Sequence, residues 1–175
     1  MKRLAIAFTL CGAIAVAAAA AAHDRRGVKR YFTNLVPHQE VPALVTTASG
    51  RFHAVLDERA QTIEYRLSYE GLEGDVLQAH LHLGQRGVNG GIMLWLCSNL
   101  ASPPTPPNTP ACPGPRAGSV SGTLTPAQVV GPTGQNVLAT EFAKAVEGLR
   151  EGVVYANVHS TKFQPGEIRG QVREH

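Results

Sequence analysis

The stretch 50–69 reads GRFHAVLDERAQTIEYRLSY and alternates apolar with polar side chains in two runs. The apolar residues of the second run share one face: Ile63, Tyr65, Leu67 and Tyr69. Alternation with a period of two is the pattern of a half-buried β-strand. The polar link 57–61 between the runs is short enough to close a hairpin. The stretch therefore predicts two antiparallel strands.

Short strands are also predicted outside this stretch, separated by turns rich in glycine and proline. They fall near 28–36, 76–84, 91–97, 118–124, 153–159 and 167–173. Many short strands at this spacing are typical of a sandwich or barrel. Only residues 136–149 place their apolar side chains at helical spacing. The sequence predicts an all-β Greek-key sandwich or barrel with one short helix in a connection.

The N-terminus has the three parts of a secretory signal peptide. Lys2 and Arg3 precede the apolar run 4–19, and alanines 17–22 come directly before His23. An uncleaved membrane anchor is the competing interpretation, but an alanine-dominated run is weakly hydrophobic for that role. We therefore predict a signal peptide over 1–22 and a single mature domain over 23–175. We expect that domain to be periplasmic or secreted, without membrane attachment after cleavage.

The charge balance bears on which partners the mature chain can bind. The chain has 16 Lys and Arg against 13 Asp and Glu, and Lys2 and Arg3 belong to the predicted signal peptide. The remainder is almost neutral and has no run of basic residues, which argues against nucleic-acid binding. A protein or glycan partner outside the cytoplasm is compatible with this charge balance. The charge balance does not indicate an oligomeric state.

Two cysteines, Cys97 and Cys112, remain after signal cleavage, and a proline-rich segment separates them. An even number of cysteines in an oxidising compartment favours a disulfide. A segment with little packing of its own gains most from such a link. Two free thiols are the alternative.

Histidines fall on the polar face of two predicted strands. In 76–84 the leucines alternate with Gln78, His80 and His82, and in 153–159 the valines alternate with Asn157 and His159. The apolar sides are expected to face the core. If the two strands are neighbours in one sheet, the three imidazoles share one face.

The last predicted strand adds Glu167 and Arg169 to the same kind of polar face. Two histidines at positions i and i+2 lie about 6.5–7 Å apart, so both rings can reach one ion. A third from a neighbouring strand completes a nitrogen-rich site, which suits copper or zinc, with copper(II) the stronger binder.

Polar side chains on those strands are candidates to support such a site. Glu167 is a candidate fourth ligand or an acceptor that orients an imidazole. Asn157, Gln78 and Arg169 are candidates for hydrogen bonds or an ion pair beside the ligands. The alternative is an ordinary solvent-facing polar surface without a metal.

Four motifs, in order along the chain, resemble those of the CHRD domain, the module named from chordin. They are QEVP at 39–42 followed by TTASG at 46–50, then AHLHLG at 79–84, NVHS at 157–160 and GEIRGQ at 166–171. The resemblance covers about 32–172. It implies an immunoglobulin-like β fold of undefined biochemical activity and, from chordin, a protein-binding role. The 97–112 insertion departs from the family pattern.

Three classes of function follow from these residues. The first is a non-catalytic, exported protein whose His80, His82 and His159 bind copper. The second is a module that binds a protein or a glycan without metal. The third is a redox enzyme, because the His-x-His strand is similar to the copper-ligand strand of copper/zinc superoxide dismutases. The enzyme has the least support, since the zinc-side ligands and any nucleophile–base motif are missing from the sequence.

Overall fold

The structure is a computed structural model that describes residues 27–102 and 104–175. The predicted signal peptide at 1–22 and His23 lie outside the described residues. Within those described ranges, no helix combines the length and the hydropathy that crossing a membrane requires.

Nine strands and one α-helix make up the described domain, with three single-turn 3₁₀ helices. The strands are β1 Val28–Leu35, β2 Ser49–Asp57, β3 Thr62–Glu70, β4 Val76–Leu83, β5 Gly91–Ser98, β6 Gly118–Leu124, β7 Val154–Ser160, β8 Ile168–Gln171 and β9 Arg173–Glu174; the helix α1 is Phe142–Arg150. The predicted all-β class is confirmed, and each predicted strand is present within a few residues of its expected bounds.

The strands form two antiparallel sheets that pack as a sandwich. One sheet has the order β6-β3-β2-β1-β9 and the other the order β5-β4-β7-β8. The hairpin predicted over 50–69 is β2 and β3, paired from Ser49↔Glu70 to Asp57↔Thr62. A bridge between Val36 and Arg169 joins the sheets on one side. The two sheets therefore enclose one core.

The core consists of the apolar faces that alternation predicted. Phe52, Leu67 and Leu81 are fully buried, and burying such a side chain contributes about 1.5–3 kcal/mol. Helix α1 covers one end of the four-stranded sheet, where Gly148 lies so close to Leu83 and Val154 that a side chain would crowd both.

The helix is shorter than the predicted 136–149. Asn136 and Thr140 have φ angles of 61° and 69°, in the left-handed region that interrupts a helix. Leu138 is 52% exposed, although helical spacing would place it on the buried face. The helix begins only at Phe142, so the prediction was wrong over its first six residues.

The sulfurs of Cys97 and Cys112 lie at bonding distance, and their Cα atoms are 5.0 Å apart. This arrangement is the one that the predicted disulfide requires. Asn99 also ties the two ends of the proline-rich segment together, since its side chain accepts from the Cys112 amide at 3.0 Å and donates to the Cys112 carbonyl at 3.1 Å.

Replacing Cys97 and Cys112 together by serine is expected to lower the free energy of unfolding by about 3 kcal/mol, because the link restricts the unfolded chain over a separation of 15 residues. Urea titration of the wild type and the double variant measures the difference. Adding a reductant to the wild type should reproduce the loss. An unfolding midpoint insensitive to both changes would mean that the thiols are free.

Candidate metal centre

The two histidine-bearing strands are neighbours in the four-stranded sheet. Strand β4 pairs with β7, so that Gln78 lies opposite His159 and His80 lies opposite Asn157. His80 and His159 are thus diagonal neighbours, with ring centroids 4.9 Å apart. The centroid of His82 lies 5.3 Å from that of His80. The three rings, named here the histidine cluster, therefore meet on one face as the sequence predicted.

That face is buried, whereas alternation alone suggested a solvent-facing surface. His80, His82 and His159 are 0%, 7% and 6% exposed. Trp95 packs edge-on against His80 at a centroid distance of 4.3 Å, and Tyr155 stacks on His82 at 4.7 Å. The aromatic side chains and the loops around them form a cover over the sheet. The site is therefore interior.

Two of the rings are held by backbone carbonyls. His82 donates from Nδ1 to the Gly90 carbonyl at 2.9 Å, and His159 donates from Nδ1 to the Gln164 carbonyl at 2.7 Å. These bonds place the proton on Nδ1 and leave the lone pair on Nε2. Metal-binding histidines in proteins are commonly held in this way by their second ring nitrogen.

The nitrogens that point into the cluster lack ordinary partners. His80 Nδ1 lies 3.1 Å from His159 Nε2 and donates to it in the metal-free protein. Nε2 of His80 and Nε2 of His82 are buried and have no hydrogen-bond partner among the described residues. A buried polar atom without a partner costs roughly 1–3 kcal/mol. The cluster thus holds lone pairs that a bound cation would satisfy.

The spacing of the cluster suits one ion. One nitrogen from each ring can be chosen so that all three lie within 4.8 Å of one another. Two imidazole nitrogens on the same ion lie about 2.9–3.4 Å apart at usual bond lengths. The 4.8 Å limit is wider than this separation, so the three rings would move closer together around a bound ion.

Burial keeps the histidines neutral. Loss of hydration lowers the pKa of His80 to about 2, with the neighbouring His159 and His82 acting in the same direction. It lowers the pKa of His82 to about 4, against an opposing effect of the Gly90 carbonyl. The pKa of His159 is lowered by the same cause. Neutral imidazole is the form that binds a metal, so few protons compete for these nitrogens at neutral pH.

The other candidate residues lie at different distances from the cluster. The Asn157 side chain is 3.1 Å from His159 Nε2. Gln78 lies opposite His159 in the sheet, and its Oε1 is buried without a partner among the described residues. Glu167 is fully buried, but its Oε1 accepts from the Glu73 amide at 2.7 Å. The Asn157 side chain is therefore the one among these candidates within hydrogen-bonding distance of a ring nitrogen of the cluster.

Arg169 supports the cover of the cluster. It is 2% exposed and donates to the Val88 carbonyl at 2.7 Å and to Asn89 Oδ1 at 3.0 Å. Its guanidinium carbon lies 3.4 Å from the centre of the Tyr155 ring, which stacks on His82. Arg169 thus fixes the 84–91 turn whose Gly90 carbonyl orients His82.

Sequence reasoning missed Glu40, which lies close to the cluster. Burial raises the pKa of Glu40 to about 7, although the Arg169 cation and the Asn157 amide oppose the shift. The carboxylate lies against Gly166, where any side chain would collide with it and where φ is +138°. Glu40 and Gly166 both fall in the motifs quoted above, but the sequence does not indicate that the two residues meet.

Comparison with known proteins identifies a family. A model of the CHRD domain matches residues 31–172. Searches of curated proteins and of solved structures gave no match.

Proposed function

Because the chain belongs to the CHRD domain family, a module of extracellular type, we propose that it is an exported protein that binds one copper ion at the histidine cluster. The family itself brings no defined activity, so the proposal depends on the cluster. His80, His82 and His159 are the ligands. Their burial leaves little room for a substrate beside the ion, which favours holding the metal over turning over a substrate.

The observation that carries this proposal is the pair of unpartnered nitrogens, Nε2 of His80 and Nε2 of His82. An ordinary buried histidine satisfies both ring nitrogens, because each unsatisfied one destabilises the fold. Here the outward Nδ1 atoms of His82 and His159 are bonded to carbonyls while the cluster side has too few donors. A cation on that side supplies what is missing.

Copper is favoured by the donor set. Three neutral imidazoles without a thiolate fit copper or zinc, and copper(II) binds more strongly than zinc to the same nitrogen donors. Structural zinc sites in proteins take four protein ligands, whereas this cluster contributes three. Zinc binding in preference to copper is therefore the first outcome that would revise the metal assigned here.

The test is copper stoichiometry in the purified protein. After incubation with copper(II) and removal of unbound metal, the wild type should retain close to one copper per chain. The variant His80→Gln/His82→Gln/His159→Gln should retain little. Because three buried changes can impair folding, the single variant His82→Gln is measured in parallel, and each variant is checked for its β-sheet signal by circular dichroism.

A matched control replaces three exposed histidines, His38, His53 and His175, by glutamine. It removes the same number of imidazoles and should keep full stoichiometry. Equal copper retention in the cluster variant and the wild type would refute the site. It would point instead to another ligand such as His23, whose ring and free amine chelate copper together if cleavage follows Ala22.

A further inference from the structure

The outer face of the five-stranded sheet carries a group of exposed arginines. Its inward side chains form the core, while the outward ones alternate with them along β1, β2, β3 and β6. Four arginines lie on this outward face, and all are exposed: Arg30, Arg51, Arg66 and Arg173. We name them the arginine face. The histidine cluster belongs to the other sheet, so the arginine face is separate from the proposed metal site.

The strand register places these cations close together. One row across the sheet runs from Arg173 through Phe32 and His53 to Arg66. Arg51 lies in the next row, diagonal to Arg66. Neighbouring strands are about 4.8 Å apart, and diagonal neighbours about 7–8 Å, within reach of long side chains. A linear ligand can therefore contact several of the arginines at once.

None of the four arginines takes part in a salt bridge within the described part of the chain. The salt bridges there join Lys29 with Glu174, Arg116 with Asp75, Lys144 with Glu141, Arg150 with Glu58 and Lys162 with Glu73. Three carboxylates share this outward face: Glu64 lies opposite Val55, Asp57 lies diagonal to Arg30, and Glu70 lies diagonal to Arg51. The four arginines outnumber these carboxylates by one, and the two rows that hold Arg51, Arg66 and Arg173 contain no acidic side chain.

We propose that the arginine face binds an acidic polysaccharide, a linear glycan whose sugars carry carboxylates. Arginine binds carboxylates through two parallel hydrogen bonds, which gives both affinity and orientation. Between and beside the arginines, small polar side chains complement sugar hydroxyls: Asn34, Ser68, Ser119, Ser121 and Thr123. The alternating charged and hydroxyl-bearing positions match a polymer that carries both groups on each unit.

A lipid surface fits this face less well. Proteins that lie on membranes insert large apolar side chains beside their cations. Of the apolar side chains on this face, Phe32 and Val55 are partly buried, and Val28 at its edge is 39% exposed. Phe32 also packs against His175, with ring centroids 5.4 Å apart. The face therefore presents charge and hydrogen-bonding groups with little to insert.

The test measures binding of the purified, metal-free protein to polygalacturonate by calorimetry at low salt. The variant Arg51→Gln/Arg66→Gln/Arg173→Gln should bind at least tenfold more weakly. A control variant removes the same charge from exposed loop positions, by Arg59→Gln/Arg86→Gln/Arg116→Gln, and should change affinity less than twofold. Raising the salt concentration should weaken binding by the wild type.

Three outcomes would overturn the proposal: absence of binding at low salt, equal losses in the two triple variants, or binding of vesicles containing phosphatidylglycerol with none to the polysaccharide. Neutral dextran serves as the uncharged probe, and binding to it as strong as to polygalacturonate would also count against the arginine face. Loading the protein with copper should leave the affinity unchanged, so this test and the copper test fail independently.

Discussion

Acidification from pH 7.5 to pH 5.0 is expected to destabilise the metal-free domain. An unfolded histidine has a pKa near 6.5, whereas the pKa values of His80 and His82 in the folded protein are about 2 and about 4. The unfolded chain therefore takes up protons over this interval while the folded cluster stays neutral. Proton uptake by each of these two residues in the unfolded chain therefore lowers the free energy of unfolding by roughly 2 kcal/mol. His159 adds to the loss in the same direction.

Glu40 opposes this effect. Its pKa in the folded protein is about 7, above the ordinary value of 4.5, so the folded state takes up a proton before the unfolded chain does. Over the same interval this contributes roughly 2 kcal/mol of stability. The effects of His80 and His82 together exceed the opposing effect of Glu40, so the free energy of unfolding falls by about 2 kcal/mol. The contribution of His159 increases this fall.

Urea unfolding of the metal-free protein at several pH values measures this slope. The variant His38→Gln/His53→Gln, which removes two exposed imidazoles outside the cluster, is measured in parallel. The variant Glu40→Gln should lose stability more steeply on acidification, since its opposing contribution is gone. Constant or rising stability of the wild type between pH 7.5 and pH 5.0 would contradict the buried, neutral cluster.

Replacing Arg169 by methionine should cost about 3–5 kcal/mol of unfolding free energy. The change fills most of the same volume but leaves the Val88 carbonyl and Asn89 Oδ1 without the donor that now binds them. Val88 and Asn89 are themselves exposed, so the cost is that of losing two hydrogen bonds from a charged donor, each roughly 1.5–3 kcal/mol. The cation–ring contact with Tyr155 is lost as well. Chemical denaturation measures the effect.

The same change should weaken copper binding about 10–100-fold, the usual effect of removing a group that orients a ligand. The 84–91 turn holds the Gly90 carbonyl on His82, and Arg169 fixes that turn. Arg86→Met is the matched control, because Arg86 lies on the same turn but is exposed. Stability and affinity of Arg169→Met within error of the Arg86→Met values would contradict the role assigned to Arg169.

Much of the cluster could be predicted from local pattern. Period-2 alternation in 76–83 and 154–160 fixes which side chains share a face, and this places His80 and His82 together. What alternation cannot supply is strand order, because pairing between β4 and β7 joins segments more than seventy residues apart in the chain. The prediction that His159 lies beside His80 and His82 therefore depended on the pairing of β4 with β7, which only the structure shows.

Burial of the cluster had a sequence signal that was not used. Strand β5 reads GIMLWLCS and is apolar on both faces, and every residue of β7 is buried. Strands that are apolar throughout are typical of sheets covered on both sides. Trp95 in β5 is the side chain that covers His80. The polar face of β4 was therefore predicted to be open although its neighbour indicated a cover.

The parts supplied by loops could not be predicted. Gly90 and Gln164 orient two imidazoles through their backbone carbonyls, so their side chains carry no trace of that role. Glu40 belongs to a loop far from the histidines in sequence and comes near Asn157 only through tertiary packing. The start of the helix was predicted wrongly for a related reason. The apolar residues of 136–141 follow helical spacing, but this spacing does not reveal that Asn136 and Thr140 adopt left-handed φ angles.

The location of the metal in crystals of the copper-loaded protein, from anomalous scattering at the copper edge, addresses the ligand set directly. We expect one strong peak at about 2.0–2.1 Å from a ring nitrogen of each of His80, His82 and His159. A peak at His23 or at an exposed histidine such as His38 or His53, with no density between the three buried rings, would contradict the copper site proposed here.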